Sequence, residues 1–168
     1  MIIKISNLSE GVHKFIFAEA VENIGLVEDF TGNIKADVEL SKAPSQIILK
    51  VNLSVMAKFV CDRCALDIMP ILTNSYKMVY LYGSPPEEND SLNLVYIHTD
   101  TDRINISSDV RDYAILAIPM KKLCKEDCKG LCYKCGQNLN ERECGCTQSV
   151  DIRWQPLLEI KKKLDNIN

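Results

Sequence analysis

Eight cysteines, arranged in four close pairs, constrain this chain more than any other feature of it. Cys61-Asp-Arg-Cys64 stands alone, and Cys124, Cys128, Cys132, Cys135, Cys144 and Cys146 crowd into LCKEDCKGLCYKCGQNLNERECGC, residues 123–146. Separations of two, three, two and one residues let neighbouring sulfurs converge on one ion. Thiolates so spaced suit tetrahedral zinc, with Zn–S near ~2.3 Å. Eight thiolates fill two such sites and leave none over.

The pair Cys132-x-x-Cys135 is followed by Gly136, which frees the backbone to turn, and then by Cys144-x-Cys146, a compact four-cysteine ribbon in itself. By subtraction Cys61 and Cys64 join Cys124 and Cys128, holding together two segments distant in sequence. A different split, with 124, 128, 132 and 135 around one ion, is also sterically possible. Four protein thiolates close a site to water, so the expected role is structural, and each ion adds folding energy to a small segment. A redox reading needs an exposed thiolate, usually at a helix N-terminus, and no helical pattern follows Cys64. A metal-gated redox chaperone is the better rival, because C-x-x-C with C-x-C is the pairing such switches use.

At 168 residues, 46% hydrophobic and 26% charged, the chain has the makings of a real core in one domain, or in one domain with a small appendage. No stretch approaches the roughly 18 apolar residues of a transmembrane helix. MIIKISNLSEG lacks the features of a secretory signal. A reducing, cytoplasmic setting is therefore expected, where paired cysteines bind metal more often than they form disulfides. Residues 1–118 carry 10 Lys/Arg against 16 Asp/Glu, a net of −6, and residues 119–168 carry 10 against 7, a net of +3. The basic excess thus sits with the cysteines.

The N-terminal half reads as strands. Residues 1–24 predict one or two extended pieces, with Ile2, Ile3 and Ile5, then Val12, Phe15 and Phe17, separated at Gly11. Ile34 to Leu40 alternates apolar against Lys35, Asp37 and Glu39; Ile47, Leu49, Val51, Leu53 and Val55 alternate against Lys50, Asn52 and Ser54. This strand runs up to Cys61 and an apolar stretch returns from Leu66 to Tyr82, which predicts a long hairpin with the first C-x-x-C at its tip. Tyr76, Met78, Tyr80 and Tyr82 share one face. Core packing is the stronger expectation for them, and base stacking the weaker. GSPPEENDS, residues 83–91, reads as a surface loop. Leu92–Ile97 and Ile104–Ile106 read as short strands. A helix over Val110–Ile118, capped by Ser107 or Ser108 and stopped by Pro119, is apolar on nearly all sides and expected to be buried. Trp154, Leu157, Ile160 and Leu164 space an amphipathic helix beginning near Pro156.

These elements predict an α+β fold: a mainly antiparallel sheet, with a partial barrel as one way of curling it, one buried helix, a Cys-rich zinc-binding segment and a C-terminal helix. The expected division is a β-rich domain over residues 1–120 and a zinc-binding segment with its helix over 121–168.

Cys61-Asp-Arg-Cys64, Leu131-Cys-x-x-Cys-Gly-x-Asn138-Leu139-Asn140 and Asp151-x-Arg153-Trp154-x-Pro156-Leu157 together resemble the YceD family of large-ribosomal-RNA-accumulation proteins. The order of strands, helix and cysteines agrees over nearly the whole chain, with Ile152 standing where family members carry Pro. The resemblance implies a non-enzymatic factor for accumulation of large-subunit ribosomal RNA, through binding that RNA or its precursor. A large-subunit ribosomal protein is a further partner it suggests. Lys121, Lys122, Lys125, Lys129, Lys134, Arg142 and Arg153, with Lys161 to Lys163, are the candidate phosphate contacts; an ordinary solvated face is the competing reading. The acidity of residues 1–118 also admits a protein–protein adaptor. No enzyme is expected: the sequence holds no paired carboxylates with a basis for perturbed pKa, no Ser/His/Asp arrangement, no phosphate-cradling Gly loop and no open metal site, and His13 and His98 are isolated. No small-molecule substrate or membrane partner is implied.

Overall fold

The computed structural model describes residues 1–84, 93–146, 152–154, 156, 157 and 160. The alternation around Ile47 produces the central strand β4 (Gln46–Ala57), which pairs antiparallel with β7 (Ile71–Tyr82). One register holds from Gln46↔Leu81 to Met56↔Ile71, and the short strands β5 (Phe59–Val60) and β6 (Asp67–Ile68) continue it as Phe59↔Ile68 and Val60↔Asp67. Ala57 N–H donates to Pro70 C=O at 2.9 Å, and Cys61 N–H to Leu66 C=O at 2.8 Å. The expected long hairpin is therefore a single ribbon, with Cys61–Leu66 as its tip.

On the other side of β4 lies β3 (Phe30–Lys42), and beyond it β2 (Gly11–Ala20). β8 (Leu94–Ile97) adds to β7 in parallel, giving the order β2-β3-β4-β7-β8. The sheet stays open, with β2 and β8 at its edges among the described residues. Its inner face buries Ile34, Ala36, Val38 and Leu40 of β3, the apolar series of β4 from Ile47 to Val55, and Tyr76, Met78 and Tyr80 of β7. Burial of this kind is worth ~25 cal/mol per Å² of apolar surface.

Three pieces cover that face. β1 (Ile2–Lys4) pairs with β9 (Arg103–Asn105) and, with Ile5 and Ile106 flanking the two strands, supplies Ile3, Ile5, Ile104 and Ile106 to the core. A 3-10 turn, Val21–Ile24, adds Val21 and Ile24 where the sequence predicted more strand; Gly25, at φ 76, ends it. The helix α1 (Ser107–Leu116) adds Val110 and Ala114. It is not buried on nearly all sides as expected. It lies on one face of the sheet, so Ile115 and Leu116 remain 48% and 71% exposed. Nor does a serine cap it: Ser107 is its first residue, and Ser107 N–H donates to Asn105 Oδ1 at 3.0 Å.

Tyr76 packs flat on Tyr113, with ring centroids 4.1 Å apart and planes 7° from parallel. The tyrosines of β7 thus serve the core, Tyr76 and Tyr80 being buried and Tyr82 partly so. Tyr76 Oη is buried without a hydrogen-bond partner among the described residues. Burial first, then the nearby Asp109 carboxylate, raises its affinity for the proton. Tyr76→Phe is therefore expected to leave stability unchanged or raise it by up to about 1 kcal/mol, since a desolvated hydroxyl is removed and nothing is orphaned. Thermal unfolding checks it, and a lowered midpoint would contradict it.

The chain divides into two compact units, Met1–Asp62 with Leu66–Cys124, and Arg63–Ala65 with the chain from Lys125 onward. The sheet and its cover form the first. In the second, short-range turns and the isolated bridge Leu131↔Asn138 take the place of strands among the described residues, a 3-10 turn follows at Ile152–Trp154, and Pro156, Leu157 and Ile160 are helical. Residues 85–91 of the expected loop, most of the helix expected from Pro156 and Lys161 to Lys163 lie outside the described residues. No helix among the described residues is long and apolar enough to cross a membrane.

Candidate metal centres

The two C-x-x-C turns fold alike. In Cys61-Asp-Arg-Cys64-Ala65-Leu66 the first N–H closes onto the sixth carbonyl, Cys61 to Leu66 at 2.8 Å. In Cys132-Tyr-Lys-Cys135-Gly136-Gln137 the same bond joins Cys132 to Gln137 at 2.8 Å. Each turn places its fifth residue in left-handed backbone, Ala65 at φ 55 and Gly136 at φ 71. Both cysteines of each turn thereby aim one way.

These turns assemble two four-sulfur sets, Cys61 with Cys64, Cys124 and Cys128, and Cys132 with Cys135, Cys144 and Cys146. Within each set all sulfurs lie within 4.8 Å of one another. Tetrahedral ligands at ~2.3 Å from an ion would stand roughly 3.8 Å apart, so both sets fit a four-coordinate cation after a small contraction. The split through 124, 128, 132 and 135 is not the one the fold adopts.

Side chains outside the sets hold them in place. Asp62 grips the backbone of Lys122 twice: its carboxylate accepts Lys122 N–H at 2.7 Å, and its N–H donates to Lys122 C=O at 2.8 Å. Cys124 N–H then reaches Cys61 Sγ at 3.3 Å. Arg63 donates from Nη1 to Cys128 C=O at 2.8 Å and accepts Leu131 N–H on its own carbonyl at 3.1 Å. Asn140 donates from Nδ2 to Cys128 Sγ at 3.2 Å, while its Oδ1 receives Lys129 N–H at 2.9 Å. N–H donors at sulfur stabilise the thiolate form. Sequence reasoning missed Asp62, Arg63 and Asn140 in these roles, although the Asn138-Leu139-Asn140 block carried the signal.

Electrostatics make the second set incomplete without a cation. Backbone N–H groups of Cys135 and Lys134, then the Cys144 thiol, bring the Cys132 thiol down to about 6. The Cys135 thiol, then burial and Cys132, push Cys146 up to about 12. One thiolate forms readily and opposes the next, and a divalent ion removes that repulsion. Because binding must expel the Cys146 proton, affinity at this set is expected to rise about tenfold or more per pH unit between pH 6 and 8. Chelator competition at three pH values measures it, and a flat profile would contradict it.

Ala65 occupies the position that glycine holds in the twin turn. Left-handed backbone costs an L-residue roughly 1–2 kcal/mol, and glycine's greater chain entropy takes back part of that. Ala65→Gly is therefore expected to stabilise by about 0.5–1 kcal/mol, read from chemical denaturation; a loss of stability would show that the turn does not need the conformation.

The basic candidates differ in setting. Lys121, Lys125, Lys129, Lys134, Arg142 and Arg153 are exposed. Lys122 is half-buried, its ammonium 4.3 Å above the Phe59 ring and 3.7 Å from Asp29, so it serves the fold first. Lys125 lies 3.9 Å from Asp127, and Arg142 Nε donates to Gln137 Oε1 at 2.8 Å.

Residues 49–161, more than half the chain, match the family described as "Large ribosomal RNA subunit accumulation protein YceD". Over 62 residues the chain is 39% identical to an Arabidopsis thaliana protein, "Large ribosomal RNA subunit accumulation protein YCED homolog 1, chloroplastic". That stretch covers 36% of this chain and 19% of the relative, so the match spans about a fifth of the relative's length. No solved structure matches the chain.

Proposed function

The chain belongs to the YceD family, and on that premise we propose that it acts without catalysis in the accumulation of large-subunit ribosomal RNA. In this reading it binds that RNA or its precursor, and two structural zinc ions order the segment that carries the contacts. One observation carries the metal part. Among the described residues of the second unit, the buried side chains are Cys64, Cys128 and Cys132, while Leu131 and Tyr133 stand exposed. The described part of this unit has sulfur for its interior and no apolar core to fold on, and metal binding is the source of stability its donors fit. All-thiolate donors of this number favour zinc over harder cations.

The same unit turns Lys125, Lys129, Lys134, Arg142 and Arg153 to solvent. Phosphate contacts from such residues add affinity and salt dependence without base specificity. Closed four-thiolate sites, with no coordination position left for a substrate, support a non-catalytic role.

Ultraviolet crosslinking in growing cells tests the proposal: large-subunit ribosomal RNA is expected to be enriched above background, with crosslinks falling on the cysteine-rich unit. RNA at background, with a ribosomal protein retained after nuclease treatment, would replace RNA binding by an adaptor role. Peroxide-dependent metal release that switches on holdase activity would replace it by a redox chaperone.

A further inference from the structure

The solvent face of the five-stranded sheet reverses the charge of the unit that carries it. Residues 1–118 have a net of −6, yet the outward side chains of β2, β3, β4 and β7 include Lys14, Lys35, Lys50 and Lys77 against only Asp37 and Glu39. Register sets them in rows. Lys14, Glu39, Lys50 and Lys77 stand directly opposite one another across four strands, and the row two residues further on is Ile16, Asp37, Asn52 and Ser75. Next come Ala18, Lys35, Ser54 and Thr73.

Two features set this face apart from ordinary solvated surface. Lys50 and Lys77 are cross-strand neighbours of like charge, an arrangement that destabilises a sheet. Glu39 sits near Lys14 and Lys50, at 4.0 and 3.8 Å, whereas Lys77 and Lys35 have no ion-pair partner among the described residues. On the rows between Lys77 and Lys35 lies a concavity of about 550 Å³, lined in part by Asn52, Ser54, Thr73 and Ser75 and by one carboxylate, Asp37. Hydroxyls and amides beside lysines are the groups that hold phosphate and sugar oxygens.

We propose that this sheet face is a second docking surface, for the sugar–phosphate backbone of RNA, with Lys35, Lys50 and Lys77 on phosphates and Asn52, Ser54, Thr73 and Ser75 on sugar or phosphate oxygens. An anion beside Lys77 relieves the repulsion from Lys50, so the cost carried by the free protein is recovered on binding. Those rows hold no aromatic side chain, so bases are not stacked and recognition is insensitive to sequence. From the register, Lys35 and Lys77 are about 13 Å apart along the strands and about 10 Å apart across them, a footprint of several nucleotides.

The inference rests on the RNA-binding reading above, and the test separates the two. The full, zinc-loaded chain is titrated with a mixed-sequence 20-nucleotide RNA, single-stranded and duplex, at a series of salt concentrations. Lys35→Glu with Lys77→Glu is expected to weaken binding at least tenfold, and Lys35→Gln with Lys77→Gln to lower the salt slope by about two. The glutamine variant is also expected to melt at or above the temperature of the original chain, which shows that the fold is intact. Binding by the original chain that is unchanged in both variants overturns the sheet face and leaves the reading standing. If the original chain binds neither RNA, both fall.

Discussion

Serine in place of Cys132 is expected to remove one metal ion per chain and to unfold the part of the second unit built on the second sulfur set, residues 131–146, while the sheet keeps its own cooperative transition. The reasoning starts from what is buried. The apolar core from Met1 to Ala114 contains no described residue of the second unit, so the described part of that unit depends on its sulfurs for its folded state. Structural zinc contributes on the order of 10 kcal/mol to small domains of this kind, well above what a few turn hydrogen bonds supply. Cys132 is the most telling choice, because its N–H also closes the turn to Gln137 and the N–H groups of Cys135 and Lys134 favour its thiolate. Native mass spectrometry counts the ions, and amide hydrogen exchange locates the loss. Two metals and unchanged protection would mean that the second unit folds by some other means.

A single methyl group should be nearly as disruptive at Gly130. Its φ is +77, and a Cβ built there would lie 3.0 Å from the carbonyl oxygen of Arg63, closer than side chains normally approach backbone. That carbonyl accepts Leu131 N–H, and the Arg63 side chain holds the Cys128 carbonyl. Gly130→Ala therefore combines a left-handed penalty of roughly 1–2 kcal/mol with a collision that must be relieved at the residues flanking Cys64 and Cys128. A loss of about 2–3 kcal/mol is expected, together with a fall in metal affinity of about thirtyfold or more. Gly145→Ala is the control, since Gly145 has open space around it. Equal effects at the two glycines would refute the argument.

Much of this was legible in the chain because the signals were local. Alternation at Ile34–Leu40 and Ile47–Val55 predicted β3 and β4, and the return from Leu66 predicted the hairpin, since period-two burial leaves a direct trace. The cysteine sets followed from spacing and count. What escaped was set by partners distant in sequence. Nothing near Val21 announces that a 3-10 turn will press it into the core. Val110–Ile118 looked buried all round because composition does not say that only one side of a helix will meet a sheet. Ala65 hid its kinship with Gly136 because alanine seldom takes that conformation. The lysine rows are invisible strand by strand and emerge only when register aligns Lys14, Lys50 and Lys77.

The pairing of Ile2–Lys4 with Arg103–Asn105 has a consequence for a chain as it leaves the ribosome. The antiparallel strands β2, β3, β4 and β7 join neighbours and can zip up once residue 82 has emerged, but the strand that β1 needs, and the helix behind it, follow about 20 residues later. At about 5–20 residues per second the inner face around Ile34, Leu49 and Tyr80 stands uncovered for on the order of 1–5 s. During that interval the nascent protein is a sticky half-sandwich whose N-terminal strand waits for a mate not yet made, and its safety then depends on chaperones or on the speed of translation through residues 83–106.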